Sequence, residues 1–276
     1  MKEIDKPIEI GKDVANVLKE LKEVKAIAFY GAIASGFADK YSDIDLICIC
    51  DRVPLLNTRK NIFNKINVSS LRNFDMFDRG QDVFNYKNKK IGIVYTSSKK
   101  IDKRIKEIEK RGSLYRDDAL LVTEIYLTKI IWDPLKYFNK RKKILQKYIK
   151  KLKIVVINLL WPWLKSFGEK GWPRGGGLDE ALKRKNPIWI NKLIQLHLDW
   201  YLYCLYNLND EYWTDFYTKW AFKKIKTFKY KPRNCLKNLE EISLLGCKEK
   251  ELYKKVKLLK QLIKDLTPLI HKKYNL

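Results

Sequence analysis

Asp43 and Asp45 stand one residue apart at the head of the run "DIDLICIC" (43–50). A β-strand sends residues i and i+2 to one face, about 6.5 Å apart along the chain. The two carboxylates therefore project together, while Ile44 and Leu46 point into a core. Paired carboxylates on a buried strand need protonation, arginine partners or metal ions. Hard oxygen ligands favour Mg²⁺ or Mn²⁺, which keep waters and recruit substrate phosphates. Upstream, in "FYGAIASG" (29–36), an apolar run stops at Gly31 and a short Gly/Ala/Ser segment follows. A strand, a glycine and a short helix leave free backbone N–H groups at a helix start, an arrangement that receives phosphate. A phosphate cradle beside a carboxylate pair is apparatus for phosphoryl or nucleotidyl transfer.

These residues need a framework. Residues 8–24 place Ile10, Val14, Val17, Leu18 and Leu21 at helical spacing. "AIAFY" (26–30) reads as a buried strand and "DIDLICIC" as a second, followed by a helix over 57–66. "DVFNYKNKKIGIVYT" (82–96) predicts a hairpin about a polar "KNK" turn. A basic amphipathic helix follows over 97–112 with Gly112 placed as its C-cap, then a helix over 116–127 and an edge strand over 129–134. From about residue 135 the pattern turns helical, with an interruption at Pro162, a loop "KSFGEKGWPRGGG" (165–177), an apolar helix over 187–209, and helices over 216–228 and 247–272. That shift sets the expected division: residues 1–134 α/β, residues 135–276 all-α.

The chain of 276 residues carries 58 Lys+Arg against 32 Asp+Glu, a formal net charge of +26. Such a balance attracts polyanions, RNA included, although lysines spread over helix faces give the same number. Five cysteines without CxxC spacing and only two histidines argue against a structural zinc site and for reduced thiols. The charged start "MKEIDKPIEIGKD" does not read as a signal peptide, and no apolar run approaches ~18 residues, so the expectation is a cytoplasmic protein without a membrane partner.

The stretch "YGAIASGFADKYSDIDL" (30–46) resembles the nucleotidyltransferase superfamily that includes DNA polymerase β and kanamycin nucleotidyltransferase. It aligns without gaps to the pattern G-S-x-A-x-G-x-x-D-x-x-S-D-h-D-h. The resemblance implies an α+β fold, a mixed sheet with flanking helices followed by an all-α C-terminal domain. It implies Mg²⁺ (or Mn²⁺) held by Asp43 and Asp45, with ATP or another nucleoside triphosphate bound by Gly31, Ala32, Ser35 and Ser42. Two departures stand out. The family serine after the glycine is Ala32 here. The family's third carboxylate, in a hydrophobic–Asp–hydrophobic context, falls on Gly92 of "KKIGIVYT". Asp82, opening the same hairpin, is the candidate substitute, against the alternative of a strand-end surface residue. Asp75 and Asp78 read as turn caps.

In the helical half, Leu208, Asn209, Tyr212, Lys219 and Trp220 resemble a motif in the helical domain of some prokaryotic nucleotidyltransferases. That likeness implies Lys219 on phosphates and Tyr212 or Trp220 on a base, although aromatics at helical spacing are more often core. His197, mid-way along an apolar helix, reads as a core histidine, and Arg174 as a loop residue able to act as a lid. The function so implied is adenylyl transfer from ATP to a hydroxyl of an unidentified small molecule, protein or RNA. Its rivals are a degenerate nucleotide-binding module and an RNA-binding scaffold.

Overall fold

The computed structural model describes residues 5–76, 79–114, 118–167, 178–213 and 215–275. The chain divides into two compact units, Met1–Ile149 and Lys150–Leu276.

The first unit is built in the order α1 (Asp5–Leu18), β1 (Val24–Phe29), α2 (Gly31–Ser35), β2 (Ile44–Cys50), α3 (Leu56–Phe63), β3 (Ser69–Met76), β4 (Arg79–Tyr86), β5 (Lys89–Ser97) and α4 (Ser98–Arg111). A short turn, α5 (Ala119–Leu121), then runs into a π-helical turn, Val122–Tyr126, before β6 (Lys129–Trp132). The six strands form one mixed sheet ordered β3-β4-β5-β2-β1-β6. β2 is central, parallel to β5 and antiparallel to β1. A strand covered on both faces must be apolar at nearly every position. β2 accordingly reads Ile-Asp-Leu-Ile-Cys-Ile-Cys, with Asp45 its one charged residue.

The register sorts the sheet into two faces. One carries Phe29, Ile44, Leu46, Cys48, Phe84 and Ile93, which pack against Ile10, Val14 and Leu18 of α1 and Ile62 and Phe63 of α3. The other carries Ala28, Asp45, Ile47, Gly92 and Thr96. On it α4, directly following β5, buries Ile101, Ile105 and Ile108. Gly112 ends α4 at φ 76°, its N–H bonded to the Ile108 carbonyl at 2.8 Å. The hairpin turn is Lys87-Asn88, both left-handed at φ 48° and 60°, which suits the twist of the strands it joins.

Helix α6 (Tyr137–Lys165) runs on from the first unit. It continues through Pro162, where an interruption was expected. The proline sits near the helix end and its own carbonyl still accepts from Ser166 N–H at 3.1 Å. The second unit adds α7 (Leu178–Lys183), α8 (Pro187–Leu208), a 3₁₀ turn at Asp215–Trp220, α9 (Ala221–Lys226), α10 (Cys235–Leu244) and α11 (Glu249–Tyr274). Of the expected loop 165–177, Lys165 ends α6, and residues 168–177, Arg174 among them, lie outside the described residues. α8 starts cleanly because the Asn186 side chain accepts from Trp189 N–H at 3.0 Å and Pro187 needs no donor partner. Its apolar face and that of α11 supply most of a core containing Tyr201, Leu205, Tyr206, Leu259 and Leu266. Among the described residues no helix is long and apolar enough to cross a membrane.

His197 is buried in this core, between the rings of Phe167 and Trp200 at 4.4 and 4.8 Å, and its Nδ1–H donates to the Leu193 carbonyl at 2.8 Å. Burial holds its pKa below the ordinary histidine value, against the pull of that hydrogen bond. The folded state thus binds fewer protons than the unfolded one, so stability present above about pH 6.5 is lost as the pH falls toward the folded-state pKa. Urea unfolding followed by tryptophan fluorescence between pH 7.5 and 5 should show that loss. In His197→Gln the slope with pH should flatten.

Candidate active site

The site is assembled at the end of β1 and the start of β2. Tyr30 N–H donates to the Asp45 carbonyl at 3.1 Å, continuing the strand pairing to the point where the chain turns. Gly31 then opens α2 at φ +65°. A Cβ on Gly31 would meet Asp45 Oδ2 at 2.6 Å, closer than non-bonded atoms approach. On the other side, Gly92 of β5 lies in register with Asp45, and a Cβ there would meet Oδ1 at 3.0 Å. The carboxylate of Asp45 thus occupies a slot walled by two glycines. A Cβ at either position would press on the Asp45 carboxylate and make it shift, and at Gly31 the left-handed backbone also favours glycine.

Asp43 precedes β2, and its carboxylate receives Lys90 Nζ at 2.8 Å. Their side chains are 41% and 57% exposed, so the pair contributes no more than about 1 kcal/mol. A divalent ion can displace a contact of that size. The pair raises the Lys90 pKa through the hydrogen bond and charge of Asp43. The loop leading in is braced locally. Ser42 Oγ donates to Asp39 Oδ1 and accepts from Asp39 N–H, each at 3.0 Å, and Tyr41 N–H donates to the same carboxylate. Ser42 therefore shapes the approach to Asp43. Ser35 Oγ turns back to the Ala32 carbonyl at 2.9 Å, inside α2.

Asp82 is not brought to this pair. It pairs across the hairpin with Ile93, not Gly92, and so lies on the opposite face of the sheet from Asp45. There it is fully buried and accepts from Arg59 Nη1 at 3.0 Å and Asn73 Nδ2 at 2.6 Å. Arg59 also reaches Asp75, on β3, and stacks near the Tyr95 ring. Burial pushes the Asp82 carboxyl up, while Asn73 and Arg59 oppose that shift. Asp82 serves as the anchor of a buried ion pair that ties α3 to the sheet, and Asp75 belongs to the same cluster and not to a turn. Asp78 lies outside the described residues. Among the described residues, no third His, Cys, Asp or Glu completes a metal-holding group with Asp43 and Asp45.

Two groups on the Asp45 face were not foreseen. Tyr30 has its hydroxyl pKa raised by burial first, then by the charges of Asp45 and Glu124. Glu124, in the π-helical turn, is buried and ion-paired with Arg79 at the start of β4. No spacing rule links these positions, which only the sheet brings near each other. The expected nucleotide contacts Tyr212 and Lys219 belong to the second unit. There Lys219 Nζ lies 4.3 Å from the centroid of the Trp220 ring, and Trp220 itself is buried. Asn209 of the same motif bonds the Tyr230 backbone at both N–H and carbonyl.

A strand, a glycine turn, a short helix and an Asp-x-Asp strand on a mixed sheet now stand in the arrangement that the resemblance implied. The family model described as nucleotidyltransferase domain matches residues 12–151. The chain belongs to that family, within the polymerase β-like nucleotidyltransferase superfamily. Among solved structures it is similar to a nucleotidyltransferase-like protein from Exiguobacterium sibiricum 255-15, at 9% identity and a TM-score of 0.41, covering 96% of this chain and 77% of that one. No curated protein matches the chain.

The two buried and exposed acids separate by experiment. Asp82→Ala should lower stability by roughly 3 kcal/mol, because Arg59 keeps its charge with half its partners gone, yet leave Mn²⁺ binding unchanged in the protein that remains folded. Gly31→Ala should do the converse, lowering Mn²⁺ affinity ~10-fold or more by displacing the Asp45 carboxylate. Denaturant unfolding and Mn²⁺ titration read the two effects.

Proposed function

We propose that this nucleotidyltransferase-family chain transfers a nucleoside monophosphate, AMP from ATP in the first instance, to a hydroxyl of an acceptor, in a Mg²⁺- or Mn²⁺-dependent reaction. The observation that carries this reading is the Asp45 carboxylate, held in its glycine slot on the central strand and flanked by Asp43. Two hard-oxygen groups on one edge fit a divalent cation that completes its shell with water and phosphate oxygens. Asp43 and Asp45 would hold that ion, and the ion would supply neutralisation of the triphosphate and of the leaving pyrophosphate. Gly31 and Ala32, at the turn beside Asp45, offer backbone N–H groups where the family serine would add a hydroxyl. Ser42 sets the loop that delivers Asp43. Lys90 neutralises Asp43 until the cation arrives, and then is free to meet phosphate. Small molecule, protein and RNA hydroxyls all remain candidate acceptors, and the net charge of +26 favours an anionic one.

A second reading rests on Gly92. It stands beside Asp45, where the family carries its third carboxylate, and a glycine neither binds metal nor accepts the acceptor's proton. On this reading the protein binds nucleotide and Mg²⁺ as a sensing module and does not transfer.

Pyrophosphate release from ATP–Mg²⁺, measured with pooled small molecules, RNA or protein as acceptor, decides between them. Transfer predicts release that falls ~100-fold or more in Asp43→Asn and in Asp45→Asn. ATP–Mg²⁺ binding without release from any pool removes transfer and leaves the sensing module.

A further inference from the structure

The first unit contains a cavity of about 380 Å³. It opens around Thr96, on the sheet face that carries Asp45 but farther along β5. Thr96 is separated from Gly92 by roughly 13 Å at the usual strand rise. Neither Asp43 nor Asp45 is among its described lining residues.

Its lining has three parts. From α4 come Lys100, Lys103, Arg104 and Glu107, at positions i, i+3, i+4 and i+7, which make one stripe along a helix. From the turn before β6 come Leu120 and Leu121, the former 39% exposed. The third part is the Arg79–Glu124 ion pair, whose side chains are only 26% and 10% exposed. Burial raises the Glu124 pKa, and Arg79 and then Lys100 oppose it.

Among the described residues, the charges in this lining do not cancel. Arg79 is committed to Glu124, and Arg104 to Asp118 at 2.8 Å and Glu107 at 3.2 Å. Among the described residues, neither Lys100 nor Lys103 forms an ion pair with a carboxylate. Two ammonium groups share one helix stripe beside a concave, partly apolar wall, where like charges at this spacing oppose each other. An anion seated between them would relieve that repulsion. The volume suits a small organic molecule, since such sites span roughly 300–1,000 Å³. A single-stranded polynucleotide instead needs an extended groove lined with stacking aromatics, and among the described residues no aromatic side chain lines this cavity.

We propose that this cavity binds a small phosphate-bearing organic molecule of nucleotide size, its phosphate on Lys100 and Lys103 and its apolar part against Leu120 and Leu121. The site needs no metal and stands whether or not the chain transfers nucleotides.

The test is calorimetric titration of the full chain in EDTA on an Asp45→Asn background, which silences the metal-dependent site. The probes are AMP, adenosine, inorganic phosphate and an oligouridylate. The expected result is one AMP per chain, with adenosine bound ~10-fold or more weakly for want of the charge-assisted contacts. Lys100→Glu/Lys103→Glu should weaken AMP by a similar factor without moving the thermal melt. Leu120→Asp should weaken AMP while sparing inorganic phosphate. If the double reversal does not fold, Lys100→Gln and Lys103→Gln carry the same expectation singly. Absence of AMP binding at millimolar concentration, equal affinity for adenosine, indifference to the lysine changes, or a preference for the oligouridylate would each overturn the proposal.

Discussion

The first unit is organised around one constraint: a carboxylate has to be kept on the innermost strand of a sheet. Every other position of β2 is apolar, because the strand is covered on both faces. Asp45 is tolerated there by its place as the second residue of the strand and by two glycines that leave its oxygens room. Those glycines come from elements far apart in sequence, the turn after β1 and the parallel neighbour β5. The positive φ at Gly31, the register of β2 with β5 and the orientation of α2 all have to agree for the slot to exist. A carboxylate so placed presents hard oxygen ligands, and on the proposed reading it is a divalent ion that they hold.

Three ion pairs on this unit look alike in a contact list and differ in energy. Lys90–Asp43 is half-exposed, is screened by solvent, and yields easily to a competing cation. Arg59–Asp82 is wholly buried and does not yield; removing either partner strands the other in the core. Arg79–Glu124 lies between these limits, at the wall of a cavity. Burial thus separates a half-exposed acid from an acid committed to the fold: Asp43 precedes β2 and Asp82 lies midway along β4.

Much of this could be read in the sequence. The strand–glycine–helix–strand order, the closely spaced Asp43 and Asp45 and the cap at Gly112 follow from local spacing, whereas the mixed sheet was implied by the resemblance. The error over Asp82 was one of parity. A two-residue turn at Lys87-Asn88 sets Asp82 against Ile93, one step from Gly92 and hence on the other face. That register was available from the turn alone. β3 was hidden because "SSLRNFDM" mixes polar and apolar residues without alternation, as an edge strand may when only part of one face is covered. α10, in the second unit, was missed although its buried Cys235, Asn238, Leu239 and Ile242 recur at helical spacing. Lys90 and the Arg79–Glu124 pair had no local signal, because their positions follow from the parallel pairing of β2 with β5 and from a turn packed on the sheet.

The central claim is that the paired aspartates are a cation site, and counting bound Mn²⁺ by electron paramagnetic resonance tests it most directly. With ATP present, the wild-type chain should bind Mn²⁺ saturably, and Asp45→Asn should lose that binding while retaining its thermal melt. Mn²⁺ binding that is absent with ATP, or that survives unchanged in Asp45→Asn, would contradict the assignment of the slot to a metal ion.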